Sequence, residues 1–416
     1  MDNKLLEQTS LVASYVLSFN RPADAVLSYF FRNNKRLGQK DRSKISEIIF
    51  NLLRNLEKIS LLLPDYAHKP RLAILSSLVI GHGLSINALQ EICNVEEVEF
   101  LQRLKAQKNI FSGRLNCMAE LPMWLIELLR ESYNDEEILS LGRALNTSAP
   151  LDIRVNTIKE KRSKVLQQLQ QEGYVAEATP YSPWGIRFEE KISLNIHPLF
   201  NNGSVEVQDE GSQLLSLLTN ANRGEIVVDL CAGAGGKTLA MGAMMQNTGR
   251  IYAFDISEKR LNNLKPRLKK SGLSNVNLQL ISNENDIKIK RLYGKCDMVL
   301  VDAPCSGTGT LRRNPDIKYR QSHESIQRIA MQQQSILNAA APLVGKNGRI
   351  IYATCSLMKI ENEDQINLFL QNHPEFMLAD VKDFLPNIPI TGKMLRFNPV
   401  THQTDGFFAA VLQRKE

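Results

Sequence analysis

The sequence predicts an α/β protein whose C-terminal half is a doubly wound, mostly parallel sheet, preceded by a small α+β section and an all-α N-terminal region. Three observations carry that prediction. From Gly224 onward, apolar runs expected as strands at 226–230, 250–254, 276–281, 297–301, 349–353 and 407–412 alternate with helical stretches such as Ser257 to Ser271 and Ser322 to Ala341. Glycines at 233, 235 and 236 follow the first of these runs at once, the layout of a strand, a tight turn and a helix. Residues 1 to about 140, by contrast, carry apolar residues at helical spacing and no convincing strand.

In the N-terminal region, helices are expected over Leu5 to Ser18, Ala23 to Phe31, Arg42 to Leu62, Arg71 to Gly81 and Trp124 to Tyr133. The third is the clearest, with Ile45, Ile48, Ile49, Leu52, Leu53, Leu56 and Ile59 in one wide stripe. Pro64 and Pro70 bracket one break and Gly81-His-Gly83 marks another, so His82 reads as a turn residue rather than a ligand. Between residues 148 and 220, Leu151 to Val155 alternates like a strand, Arg162 to Gln171 reads as a helix ended by Gly173, and Ile186 to Phe188 reads as a further strand. Val205 to Gln213 then leads into an apolar helix beginning near Ser212. The expected domains are therefore 1–140, 148–220 and 221–416. The last strand, following an irregular 380–405 stretch, is expected to be antiparallel.

Composition is that of an ordinary globular chain: 416 residues, 43% hydrophobic and 23% charged. No apolar run approaches the roughly 18 residues a membrane helix needs, and Met1-Asp-Asn-Lys-Leu5 lacks a signal-peptide layout. The six cysteines form no Cys-x-x-Cys pair and no disulfide framework, so a reducing cytoplasm is the expected location, and no metal is expected. Net charge is +7, all of it on residues 224–416, where 25 Lys and Arg face 18 Asp and Glu. Within the neutral N-terminal part, Arg32 to Lys44 carries six bases against one acid, balanced by acids around Glu96 to Glu99 and Asp135 to Glu137. Such patches suit a polyanion such as RNA, and equally an ordinary solvated surface.

Val227-Val-Asp-Leu-Cys-Ala-Gly-Ala-Gly-Gly-Lys-Thr238 brings backbone close to a ligand and points a helix N-terminus at it. A Walker loop fails because Cys231 stands where its first glycine belongs. The dinucleotide fingerprint fails at Thr238, where its third glycine belongs. Methyltransferases that use S-adenosylmethionine share the architecture with a looser glycine turn. Asp255 closes the second expected strand about 20 residues beyond the glycines, where a carboxylate accepts hydrogen bonds from ribose hydroxyls; the alternative is a cap for the helix that follows.

Two cysteines stand apart. Cys305, in Asp302-Ala-Pro-Cys-Ser-Gly-Thr-Gly309, and Cys355, in Tyr352-Ala-Thr-Cys-Ser356, each follow an apolar run expected as a buried strand. Residues just past the carboxyl ends of neighbouring parallel strands converge on one crevice, so two thiols, Asp302 and the glycine loop would face one pocket. A thiolate there suits attack on a poor electrophile. Cys93, Cys117, Cys231 and Cys296 read as small buried hydrophobes. Arg312 and Arg313 would either grip phosphates or face water.

The glycine loop, Asp302 to Lys318, Ala353-Thr-Cys-Ser356 and Asp405-Gly-Phe-Phe408 together resemble the Sun/RsmB family of RNA cytosine-5 methyltransferases, as do Arg154-Val-Asn-Thr157 and Gln208-Asp-Glu-Gly-Ser212 upstream. The resemblance runs in order over about 150–416. The helical region is similar to the NusB-like RNA-binding domain of bacterial members, best over Leu37 to Arg42 and Ile49 to Leu56. The resemblance implies a Rossmann-like class I methyltransferase domain with a mostly parallel seven-stranded sheet. It implies that Cys355 is the nucleophile toward cytosine C6, that Cys305 helps release the covalent adduct, and that Asp302 contacts the cytosine edge. Cys231, Ala232, Gly233, Ala234, Gly235, Gly236 and Lys237, with Asp255 and Asp302, would hold S-adenosylmethionine. Asn283 stands where the family has an acid near the adenosine end of the cofactor, and Gly233-Ala234 replaces the family's common Ala-Pro.

Cytosine C5 is too weak a nucleophile to take a sulfonium methyl unaided, and thiolate addition at C6 activates it. Lys237 and the nearby helix N-terminus would supply the positive field that favours a thiolate, and Asp302 would steady the charge that builds on the ring. The base must leave its stack. Ribosomal RNA is the expected substrate and tRNA the nearest alternative, on a protein expected to be a monomer with no membrane partner. A non-catalytic RNA-binding assembly factor on a methyltransferase fold is the rival reading. Removing residues 1–140 is expected to leave a soluble cofactor-binding domain.

Overall fold

Ile45, Ile48, Ile49, Leu52 and Leu53 form a buried stripe on the helix Gln39–Arg54. The single helix expected across 42–62 is broken at Asn55, and a second runs Leu56–Leu62. The side chain of Asn55 donates to the Asn51 carbonyl at 2.9 Å, competing with the backbone ladder at that turn. In the computed structural model, which describes residues 2–190, 192–194 and 196–416, the chain forms two units. One is Met1–Ser148 with Thr310–His323; the other is Ala149–Gly309 with Glu324–Glu416.

The first unit is helical, with Asn3–Val16, Ala23–Asn33 and Pro70–Ile80 packed around the stripe. Two further helices, Val95–Ala106 and Asp135–Leu145, sit where acids read as surface charge. Each opens on a capping box, Asn94 with Glu97 and Asn134 with Glu137, so the acids lie at the positive end of a helix dipole.

The surprise in this unit is its last piece. Five residues after Cys305 the chain leaves the sheet, and Thr310–His323 threads into the helical unit before returning. Leu311, Asp316 and Lys318 are buried there. Tyr319 stacks tilted on Phe19, ring centroids 5.2 Å apart. Asp316 accepts from the Ala23 amide at 3.2 Å, and the Lys318 ammonium donates to the Glu120 carbonyl at 2.6 Å. Burial pushes Lys318 down to about 8 and the Glu120 carboxyl up to about 6, each opposed by the other's charge. Arg312, expected on phosphates or in water, is also buried, and its carbonyl accepts from Arg54 at 3.0 Å. The periodicity that marks a surface patch is absent from so short a segment, which is why its burial was not legible.

The second unit begins with a four-stranded antiparallel sheet, β1 (Leu151–Val155), β2 (Ala176–Ala178), β3 (Gly185–Phe188) and β4 (Val205–Val207), in the order β2-β3-β1-β4. The helix Arg162–Gln171 lays Val165 and Leu169 into its core. The main sheet follows: β5 (Ile226–Asp229), β6 (Arg250–Asp255), β7 (Val276–Leu280), β8 (Cys296–Asp302), β9 (Val344–Thr354), β10 (Phe376–Ala379), β11 (Leu395–Phe397) and β12 (Phe407–Arg414). Seven strands run β10-β12-β9-β8-β5-β6-β7, and short β11 adds an eighth against β12. β5 through β9 are mutually parallel, while β12 is antiparallel to β9 as expected.

Successive residues feed opposite cores: Val228, Val299 and Val301 one, Val227, Met298 and Leu300 the other. A sheet covered on both faces explains why its strands read as unbroken apolar runs. The strand order turns back between β5 and β8, and the ligand crevice of such a sheet opens at that reversal. No helix of the described residues is long and apolar enough to cross a membrane.

Deleting residues 1–140 would strip the partners of Leu311, Lys318 and Tyr319 and leave them on the surface. The truncated protein should aggregate in size-exclusion chromatography, contrary to the soluble fragment the sequence suggests; a monodisperse fragment would show that the Thr310–His323 segment does not need the helices.

Candidate functional site

The glycine loop leaves β5 and enters the helix Gly236–Met244. Gly233 and Gly235 take φ of 56° and 84°, and a Cβ on Gly235 would lie 2.0 Å from Leu264 Cδ1, so only glycine fits there. Asp255 pins the loop to the end of β6. Its carboxylate accepts from the Gly233 amide at 2.8 Å and the Ser257 amide at 2.7 Å. The cap of the helix Glu258–Ser271 is Ser257, whose side chain accepts from the Arg260 amide, so Asp255 fastens the loop rather than capping that helix itself.

The upstream motifs brace this loop from outside. Arg154 is buried and donates from Nε to Gln208 Oε1 at 2.7 Å, while Gln208 Nε2 donates to Ser212 at 3.1 Å. Burial draws the Arg154 guanidinium down to about 10, with Glu206 pulling it back up. Arg267 joins Glu206 at 2.8 Å and donates to the Ala234 carbonyl.

β8 and β9 deliver the remaining groups. Asp302 ends β8, and the Lys237 ammonium, from the first turn of the glycine-loop helix, stands 2.8 Å from its Oδ2. Burial lowers the Lys237 affinity for its proton, but Asp302 and the nearby Cys355 raise it by more. Cys305 and Cys355 face each other with sulfurs 3.2 Å apart, and the Cys355 amide donates to Cys305 Sγ at 3.3 Å. Contact with Cys355, burial and the negative charge of Glu361 drive the Cys305 thiol far up. Gly309 donates to the Cys355 carbonyl at 2.9 Å and accepts from the Gly406 amide at 2.8 Å. A Cβ on Gly309 would meet the Gly406 carbonyl at 2.0 Å. The Asp405-Gly-Phe-Phe segment is thus part of the cysteine scaffold.

Asn283, by contrast, is exposed beyond β7, and its side chain accepts from the Asn285 amide at 2.8 Å. The neighbouring Asp286 is taken up by Ser282 and the Lys288 amide. Cys296 and Cys117 are buried as small hydrophobes, and burial pushes the Cys296 thiol up to about 12. Cys93 and Cys231 are half-buried, with burial raising both thiols.

Sequence reasoning passed over Asp229, the last residue of β5. It is buried, its Oδ2 accepts from Thr238 at 2.7 Å, and its Oδ1 has no partner. Burial lifts its carboxyl from 3.8 to about 7. The signal was available, an acid closing the strand before a glycine turn, but the glycines drew attention away from it.

A folded-state value above the unfolded one means that, between about pH 4 and 7, the unfolded chain releases a proton the folded chain keeps. Stability therefore falls as pH rises through that window. Asp229→Asn keeps the acceptor for Thr238 and removes the penalty. It should raise the melting temperature at pH 8 by about 2–4 °C, with little change at pH 4; an equal shift at both pH values would refute the buried-charge account.

Residues 216–413 match the family model of the 16S rRNA methyltransferase RsmB/F, and residues 121–195 match the ferredoxin-like domain of RsmF/B-like methyltransferases. A probable ribosomal RNA small subunit methyltransferase B of Synechocystis sp. is 34% identical over 75% of this chain and 72% of its own length. The ribosomal RNA small subunit methyltransferase B of Yersinia pseudotuberculosis is 30% identical over 97% of this chain and 96% of its own. Among solved structures, PH0851 superposes with a TM-score of 0.83 at 26% identity, covering 99% of both chains. The resemblance of the motifs and these likenesses agree: the chain belongs to the RsmB/F family of RNA methyltransferases.

Proposed function

We propose that this protein is an S-adenosylmethionine-dependent RNA cytosine-5 methyltransferase acting on ribosomal RNA. The observation that carries the reading is the pair of thiols 3.2 Å apart beside the Lys237–Asp302 ion pair, at the carboxyl ends of adjacent strands. The names of the relatives favour ribosomal over transfer RNA as substrate.

The cofactor's residues fit. Buried Asp229 Oδ1 lacks a partner, Gly233 to Lys237 open a helix N-terminus, and Asp255 retains acceptor capacity toward ribose hydroxyls. When bound, S-adenosylmethionine supplies an electrophilic methyl group. The Cys355 thiolate adds to C6 of a cytosine turned out of its stack, forming the S–C6 bond and moving the ring's electron pair toward C5. Lys237 holds positive charge against Asp302, which contacts the cytosine edge, and the pair offsets the charge building on the ring. Once C5 carries the methyl group, a water molecule in the crevice takes the C5 proton, the C–H electron pair re-forms the C5–C6 double bond, and the sulfur of Cys355 leaves as a thiolate. Cys305, in contact with the departing sulfur, assists that release. An assembly factor without activity would have no need of two thiols at contact distance at the open ends of adjacent strands.

Asp255→Ala should weaken S-adenosylmethionine about tenfold or more by calorimetry, because ribose hydroxyls and the Gly233 amide lose a shared acceptor; unchanged affinity would remove the cofactor assignment. With substrate RNA and S-adenosylmethionine, Cys305→Ala should attack and methylate but release slowly, giving a shifted band on a denaturing gel. Cys355→Ala and the double variant should give none. A shifted band from Cys355→Ala alone would reverse the two roles.

A further inference from the structure

Beneath the thiol pair lies a fully buried carboxylate that none of the steps above requires. Glu361 ends a short turn, Lys359–Glu361, six residues beyond Cys355. Its Oε1 accepts from the Ser306 amide at 2.8 Å and from Gln333 Nε2 at 3.0 Å. Its Oε2 accepts from Ser306 Oγ at 2.5 Å and from Ser356 Oγ. Ser306 is the residue after Cys305, and Ser356 is the residue after Cys355. One anion therefore grips both cysteine loops at the same offset.

The grip extends to the other side of each cysteine. Gln333 Nε2 also donates to the Pro304 carbonyl at 3.0 Å, so Cys305 is bracketed by Pro304 and Ser306. Asn362, next in the chain, accepts from Thr354 Oγ1 at 2.6 Å and donates to the Ser356 carbonyl at 3.0 Å, so Cys355 is bracketed by Thr354 and Ser356. Tyr352 donates to the Glu361 carbonyl at 2.7 Å, tying this turn back to β9. A glutamate in a sealed site, with four donors on two oxygens, has its lone pairs filled and no path to a substrate proton. Its capacity is spent on geometry.

We propose that Glu361 is a positioning residue that sets the distance between the two sulfurs. This rests on the reading of Cys305 and Cys355 as the working thiols. Charge-assisted bonds to a single buried carboxylate hold two otherwise independent loops more stiffly than neutral bonds would. A thiol pair that must act in succession at contact distance is sensitive to displacements of about 1 Å.

Glu361→Ala would strand four donors in the interior and is expected to unfold the site, so Glu361→Gln is the informative variant. Its amide oxygen can stay with the Ser306 amide and Gln333, and its amide nitrogen then meets the two serine hydroxyls, which turn to accept. The fold survives while the shared anion is lost. In the full-length protein, kcat for RNA methylation should fall about tenfold while KM for RNA and for S-adenosylmethionine stays within about twofold.

A second measurement is independent of the reaction. Diamide takes one hydrogen from each of two thiols, becoming a hydrazine as the disulfide forms. Without RNA or cofactor, the rate of the Cys305–Cys355 disulfide, read by peptide mapping, should fall about fivefold in Glu361→Gln. Wild-type kcat, or a wild-type diamide rate, in a folded Glu361→Gln protein would overturn the proposal. Retained turnover in Cys355→Ala would instead overturn the reaction reading beneath it.

Discussion

The parallel register of β5, β8 and β9 is the constraint on which the rest of the catalytic unit depends. β8 pairs Asp302 with Ala353 of β9, so both strands run out at the same level, and Cys305 and Cys355 emerge within three residues of that edge. β5 pairs Asp229 with Leu300, placing the glycine loop beside them. Because both faces of the sheet are covered by apolar cores, polar chemistry has one place to gather. A slip of one residue in β8 would carry Val299 and Val301 to the opposite core and move Asp302 away from Lys237. Hydrophobic alternation thus sets the position of the charged groups without touching them.

Those groups are kept by pairing rather than by water. Lys237 has Asp302, Arg154 has Glu206 and Gln208, and Glu361 has four donors. Asp229 differs from these, with one oxygen unmatched and its carboxyl lifted to about 7. An unmatched buried oxygen at a strand end beside a glycine turn is unfavourable for folding alone. It is useful if a ligand's donor completes it. The glycine-turn end of the site thus keeps an unmatched acceptor, whereas both oxygens of the Glu361 carboxylate are bonded.

Much of this was legible in the sequence, and the reasons are local. Six strands of the main sheet announce themselves as runs bounded by helical stretches, and the antiparallel last strand by the stretch before it, whereas short β10 and β11 were missed, β11 lying within the stretch read as irregular. The glycine turn, Asp255 and both cysteine segments are contiguous motifs, and the sheet register brings Asp302, Cys305 and Cys355 to one edge. What was not legible depended on pairing across the chain. Lys237 read as a loop ligand because nothing in the sequence shows that its ammonium reaches Asp302, 65 positions away. Glu361 drew no reading at all, because its donors come from the distant Ser306 and Gln333 and from Ser356. Asn134 and Glu137 could have been read as a capping box, and the acids that follow as a helix start, from spacing alone.

The segment after Cys305 shows how a single motif can serve two structural masters. Asp302 to Gly309 obeys the sheet: it holds the thiol, the ion pair and the close approach to Gly406. Thr310–His323 obeys the helices, where Lys318 gives up part of its affinity for a proton to reach the Glu120 carbonyl. A buried lysine and a buried glutamate are poor choices for stability alone, since an apolar pair of similar volume would fill the space at less desolvation cost. What the lysine provides is register: its ammonium donates to the Glu120 carbonyl at 2.6 Å and to the Arg54 carbonyl at 3.5 Å, two fixed points that hold the segment in place. The segment is covalently continuous with Gly309, whose amide donates to the Cys355 carbonyl at 2.9 Å, so one stretch of sequence answers to the packing of the helices at one end and to the cysteine scaffold at the other.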